Sequence, residues 1–330
     1  MKQLVSLILT FAVAALPAAA KVKVRRQQSL ARWHITPANY SGLTPLGNDR
    51  YAVVDDKSPT DGFHIFTIRL NPHTGKIVSV SSTPLLGNPD GSPKADCEDI
   101  ALCPQDSTLF IAQERACKVG EYRLDGRPTG RQLQLPPYFS LAYMQNNLGF
   151  ESLAYSDSTR TLYLTTEQPL KGETSNRIVA FNTDLQPADI VSYTLDPPEL
   201  KHPARYYAHG ICAMTILSFP SRLLIMEREL SIPRRYVGGK CRIKIYEIEA
   251  DTTENHTQLS IPDTHPPKRL LTSFTTHISR LNYANYEGMC PGPTLADGRS
   301  TLLLLSDSQA GAHNGPFHLK DYLKVIILDR

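Results

Sequence analysis

The chain has 330 residues, 41% of them apolar and 8% aromatic, with 35 Lys+Arg against 32 Asp+Glu and a formal net charge of +3. That balance excludes a disordered chain, a collagen and a coiled coil. The most basic stretch is the short run 21–26, which is no footprint for nucleic acid, so partners have to be argued from local sites.

In chain order, the first segment carries Lys2, an apolar run over 4–16, Pro17 and the small residues Ala18, Ala19 and Ala20. This reads as a secretory signal peptide over 1–20, leaving one mature domain over 21–330 in a periplasm or outside the cell. A membrane-spanning helix needs about 20 apolar residues, and neither this run nor any later one reaches that length. The expected product is therefore a monomer without a transmembrane segment.

A short segment then recurs five times: SGLTP from Ser41, EDIAL from Glu98, ESLAY from Glu151, HGICA from His209 and EGMCP from Glu287. After each comes a strand-like run ending at or near an acid: YAVVDD from Tyr51, LFIAQE from Leu109, LYLTTE from Leu162, LLIMERE from Leu223 and LLLLSD from Leu302. Third runs follow at His64, Lys118, Asn176, Cys241 and Leu323, and fourth runs at Lys76, Arg131, Asp189 and Lys268. The runs are short, rich in β-branched and aromatic residues, and bounded by turn pairs such as Asn71-Pro72, Asp125-Gly126 and Asp297-Gly298.

Four antiparallel strands per unit, repeated around a ring, predict an all-β fold, a β-propeller of four-stranded blades. The fifth unit lacks a fourth strand because the chain ends, and an N-terminal strand, SLARWHI over 29–35, is expected to supply it and close the ring. Repeat starts are spaced 57, 53, 58 and 78 residues, so five blades are readable, with six as the alternative if the last gap hides a degenerate one.

Inner strands of a propeller line its central channel, so the repeats direct Glu98, Glu151, His209 and Glu287, with Ser41, toward the axis. Acids at the ends of the second strands, Asp55, Asp56, Glu114, Glu167, Glu227, Glu229 and Asp307, are expected nearby. Carboxylates crowded into one funnel raise one another's pKa unless cations intervene. The matching cation is a hard one with oxygen ligands, above all Ca²⁺. Bonds to backbone N–H groups of the next blade, or neutralisation by Arg115 and Arg228, would explain any single acid without a metal. His209 reads more simply as a hydrogen-bonded channel residue than as a ligand.

Six cysteines, Cys97, Cys103, Cys117, Cys212, Cys241 and Cys290, would be free to pair in an exported chain. Cys97 and Cys117 flank one hairpin, and Cys212 and Cys290 fall at matching positions of two repeats; buried free thiols fit the pattern equally well. The spacing holds no zinc motif.

The segments DCEDIALCPQDSTLFIAQE from Asp96, GFESLAYSDSTRTLYLTTEQPL from Gly149, RLLIMERELS from Arg222 and NYEGMCPGPTLADGRSTLLLLSDSQ from Asn285 together resemble the phytase-like domain family, also called esterase-like activity of phytase. The resemblance runs from about Ser41 to the C-terminus. It implies an exported β-propeller and hydrolysis of ester or phosphoester bonds. His209 departs from it, standing where other repeats carry Glu, and so does Ser41.

Two functions follow. The first is a Ca²⁺-dependent hydrolase of a small anionic ester or phosphoester. Its metal would be held among Glu98, Glu114, Glu151, Glu167, Glu227, Glu287 and Asp307. Glu98, Glu151, Glu287, His209 and Arg228 would be the catalytic candidates, with Arg115, Arg228 or Lys171 clamping the substrate's charge. A serine-hydrolase version is disfavoured, because the chain has no GxSxG elbow. The second function is a non-catalytic propeller whose loops bind a glycan, a peptide or an envelope partner.

Overall fold

The computed structural model describes residues 22–88, 96–146, 148–200, 204–218, 221–234, 236–249, 266–314 and 317–329. The signal-peptide reading over 1–20 lies outside them.

Each second strand is an unbroken apolar run because both of its faces are covered. Leu302, Leu303, Leu304 and Leu305 have no exposed surface; Leu302 and Leu304 pack toward one neighbouring sheet, Leu303 and Leu305 toward the other. Such a strand shows continuous hydrophobicity instead of alternation. The same pattern in five places produces five four-stranded antiparallel sheets, the blades of a propeller.

Blade 1 comprises Tyr40–Gly47, Arg50–Asp55, Gly62–Leu70 and Ile77–Ser82, with Leu86–Gly87 added on its third strand. Blade 2 is Cys97–Cys103, Thr108–Gln113, Lys118–Arg123 and Pro128–Gln132. Blade 3 is Phe150–Ser156, Thr161–Thr166, Asn176–Phe181 and Pro187–Tyr193. Blade 4 is Tyr206–Ser218, Ser221–Ile232, Lys240–Glu249 and Arg269–His277, and blade 5 is Asn285–Gly292, Ser300–Asp307, Tyr322–Leu328 and Val22–Val24.

Five apolar clusters fill the five blade-to-blade interfaces, so the core is a ring and not a single centre. Every inner strand packs against the inner strands of both neighbours, which leaves a narrow axis. Gly288 shows how narrow: a Cβ there would sit 2.3 Å from the Ser41 carbonyl oxygen.

The ring is closed by the N-terminus, but by an earlier segment than expected. Val22–Val24 pairs with the last strand through Val22↔Leu328 and Val24↔Ile326, and Gln28–Ser29 pairs lower on the same strand. The segment 29–35 is not a strand; beyond Ser29 it turns into a 3-10 helix, Leu30–Trp33. Ser29 Oγ caps that turn by accepting from Ala31 N, and His34 ends it in the left-handed region.

The described residues form five blades. The long gap before the last repeat comes from blade 4 itself, whose strands run 13, 12, 10 and 9 residues. The span from Asp251 to Asn285, the place for a sixth blade, contains the fourth strand of blade 4, Arg269–His277; residues 251–265, between its third and fourth strands, are outside the described residues. The outer strand of blade 2 begins at Pro128 and not at Arg131, because a tight turn at Gly126 returns the chain at once, with Arg123 N donating to Arg127 O.

All six cysteines are free thiols. Cys97 belongs to the blade 1–2 interface and Cys117 to the blade 2–3 interface; Cys212 and Cys290 are likewise divided between two interfaces.

Candidate functional site at the acidic end of the channel

Strand register, not sequence similarity, defines which residues are equivalent around the axis. Each inner strand carries a bulge, near its start in four blades and in the middle of the longer strand of blade 4, where an extra residue breaks the pairing. The bulge lies at Ser41 and Gly42 in blade 1, Glu98 in blade 2, Glu151 in blade 3, Cys212 in blade 4 and Glu287 in blade 5. Facing it, one residue beyond the partner of the pre-bulge residue, stand Asp56, Glu114, Glu167, Arg228 and Asp307. The channel therefore ends in two stacked rings: Ser41, Glu98, Glu151, Cys212, Glu287, and Asp56, Glu114, Glu167, Arg228, Asp307.

This register corrects the reading of blade 4. The segment beginning at His209 is offset by three residues, so Cys212 and not His209 takes the ring position. His209 pairs with Glu229 further along the strand, and among the described residues its ring makes no hydrogen bond or ion pair. Cys290 then matches Thr215 and not Cys212. Glu227 also leaves the set: it accepts from Tyr193 Oη at 2.7 Å and Lys268 Nζ at 2.9 Å, fastening the loop after blade 3 to blade 4. Glu229 does similar work, accepting from the backbone N–H groups of Glu199 and Leu200 at 2.9 and 2.7 Å.

The remaining predicted residues are brought together around Arg228. Its Nη2 donates to Glu167 Oε1 at 2.7 Å and lies 3.7 Å from Glu151 Oε1; its Nη1 bonds Glu287 and reaches Asn285 Oδ1 at 3.3 Å. Asn285 Nδ2 also donates to Glu287 Oε1, at 2.7 Å. Burial disfavours the guanidinium's charge, but Glu167, Glu287 and Glu151 outweigh it and hold its pKa above the ordinary value.

Among the described residues the blade 1–2 side has no buried cation, only the exposed Lys57. Among the described residues Glu98 accepts only from Ser41 Oγ, at 3.4 Å. Burial, then Asp56, Glu287 and Glu114, push its pKa well above the carboxylate range. Glu114 accepts from Gly149 N at 2.6 Å and is raised by burial. Asp307, bound by Gln309, is raised by burial and by Glu287. Asp56 is pushed up to about 6, mainly by burial, although it pairs with Lys57. Lys57 is itself shared with Asp96, 3.1 Å away, which Arg115 also holds at 3.2 Å.

Asp99 went unnoticed in the sequence. Buried beside the ring, it accepts from Leu153 N at 2.7 Å and from Ile100 N at 2.8 Å, stitching the inner strands of blades 2 and 3. Its space exists because residue 42 is glycine; a Cβ there would lie 2.1 Å from Asp99 Oδ1.

The donors suit a hard cation in type and charge, being all oxygen and mostly anionic. They are not drawn in to coordination distance: among the described residues, no three His, Cys, Asp or Glu side chains form a metal-holding group. Among those residues no helix is long and apolar enough to cross a membrane.

The family model described as phytase-like, esterase-like activity of phytase, matches residues 37–309, which hold both rings. The chain belongs to this family. No curated protein sequence matches it. Among solved structures, the phytase-like chain is similar to a chain of a nidogen/laminin complex (13% identity, 86% of this chain and 79% of that one, TM-score 0.40). It is also similar to a streptogramin B lyase (14%, 93% and 98%, TM-score 0.37). A Bacteroides vulgatus member of the duf4221 family is another (10%, 94% and 98%, TM-score 0.43).

Proposed function

We propose that the phytase-like chain is a hydrolase of a small anionic ester or phosphoester, working at the acidic end of its channel with a hard divalent cation, Ca²⁺. The observation that carries this reading is the pair of rings. Seven carboxylates, Glu98, Glu151, Glu287, Asp56, Glu114, Glu167 and Asp307, meet one ring cation, Arg228. A buried surplus of that size is costly without a further positive charge.

Asp56, Glu98, Glu114 and Asp307 would hold the cation. When bound, it supplies charge for an anionic substrate oxygen and lowers the pKa of water. Asp56 keeps Oδ1 on Lys57, which leaves Oδ2 for the cation. Lys57 and Arg115, both exposed at the mouth, present positive charge to an arriving anion. Arg228 is engaged at both ends and serves the ring, not the substrate.

The test is turnover of an aryl phosphate and an aryl ester by the purified protein, in Ca²⁺ and in chelator. Turnover is expected only with Ca²⁺ and should fall by roughly 10²-fold or more in Glu98→Gln. No turnover of either substrate with Ca²⁺ would count against hydrolysis.

A recognition propeller is the second reading, supported by an apolar cleft of about 360 Å³ between blades 4 and 5, lined by residues including Ile232, Ile278, Leu281, Tyr283 and Tyr322. It predicts saturable binding without turnover, unchanged when the ring acids are replaced.

A further inference from the structure

Four of the five blades place a carboxylate at the second ring position, and blade 4 places an arginine there. This is not a surface charge swap. The Arg228 side chain is 5% exposed, and its two terminal nitrogens are surrounded by oxygens of Glu151, Glu167, Glu287 and Asn285 from blades 3 and 5. Four protein oxygens converging on one positive centre is the arrangement a hard cation would require, with water completing its shell. The guanidinium fills that place and, being part of the chain, cannot leave it.

We infer that Arg228 is the channel's resident cation, standing where a metal ion would otherwise join Glu151, Glu167 and Glu287. The two sides are compensated differently: Arg228 is buried among Glu151, Glu167 and Glu287, whereas the cation paired with Asp56, Lys57, is exposed. Glu98 sits at the same bulge position as Glu151 and Glu287 yet, among the described residues, bonds only the Ser41 hydroxyl, whereas those two share Arg228. The arginine thus divides a quasi-five-fold acid ring into a closed half and an open half.

The experiment compares wild type, Arg228→Lys and Arg228→Gln by Ca²⁺ calorimetry and by melting temperature with and without Ca²⁺. Arg228→Gln should bind one more Ca²⁺ than wild type, melt at a lower temperature in chelator, and recover more on Ca²⁺ addition. Arg228→Lys should keep the wild-type stoichiometry. Unchanged stoichiometry in Arg228→Gln, with no larger Ca²⁺-induced shift, would overturn the inference. If Arg228→Gln does not fold, the variant combining Arg228→Met with Glu151→Gln, Glu167→Gln and Glu287→Gln decides. Folding of this variant without Ca²⁺ supports a charge-compensating role, and failure to fold refutes it. Wild type without Ca²⁺ binding and Arg228→Gln with one site would defeat the proposed hydrolase while leaving the resident cation standing.

Discussion

At the scale of single residues, the site is governed by carboxyls that the fold holds above their ordinary pKa. Asp56 is raised from 3.8 to about 6, and Glu98, Glu151 and Asp307 are raised chiefly by burial. Such a carboxyl keeps its proton in the folded chain at pH values where the unfolded chain has lost it. Its contribution to stability is complete below the ordinary carboxylate range and is lost as pH rises through the folded value. The chelator-treated protein should therefore melt at a lower temperature at pH 7.5 than at pH 5, and Ca²⁺ should raise the melting temperature more at the higher pH. A melting temperature that climbs from pH 5 to pH 7.5 in chelator would contradict this. Glu98→Gln, which keeps an acceptor for Ser41 and removes the charge, should stabilise the chelated protein at pH 7.5 by roughly 1 to 2 kcal/mol while losing Ca²⁺. Most ring acids were legible one by one in the sequence. Arg228 was read as a neutraliser of nearby acids and as a catalytic candidate, but not as a ring member, because its ring position depends on register.

At the scale of elements, the bulge is the device that matters. It inserts one residue into each inner strand without any compositional mark, so the repeat similarity at His209-Gly210 led to a frame three residues early. A signal was present in the spacing: bulge residue and strand-end residue are 16 apart in Glu98/Glu114, Glu151/Glu167 and Cys212/Arg228 alike. Strands themselves were easy to read, because apolar runs buried on both faces alternate with turn residues. The closing segment was harder; the pattern at 29–35 looks extended, but Ser29 caps a 3-10 turn instead. Close approach of inner strands makes a further prediction. In Gly288→Ala the new Cβ would lie 2.3 Å from Ser41 O and 2.7 Å from Leu43 Cδ2, forcing blades 5 and 1 apart. Urea unfolding should show a loss of about 2 to 4 kcal/mol. A loss below about 0.5 kcal/mol would mean that the junction is looser than described.

At the scale of the whole molecule, five interfaces of similar build close into a ring, and the ring is what brings seven carboxylates to one end of one axis. No blade alone could do so: Arg228 comes from blade 4, Glu151 and Glu167 from blade 3, Glu287 from blade 5 and Glu98 from blade 2. The N-terminal strand Val22–Val24 completes blade 5, so the geometry of the acid ring depends on both ends of the chain. The central claim is that this end of the channel takes a hard cation. Its most direct test is a calorimetric titration of Ca²⁺ into the chelator-stripped protein at pH 6 and pH 8, in buffers of different ionisation enthalpy. Because raised carboxyls must give up protons to bind metal, the account predicts saturable binding that is tighter at pH 8 and releases protons at pH 6. No saturable binding at either pH would contradict it and leave the two rings as structural charge held by Arg228 and Lys57.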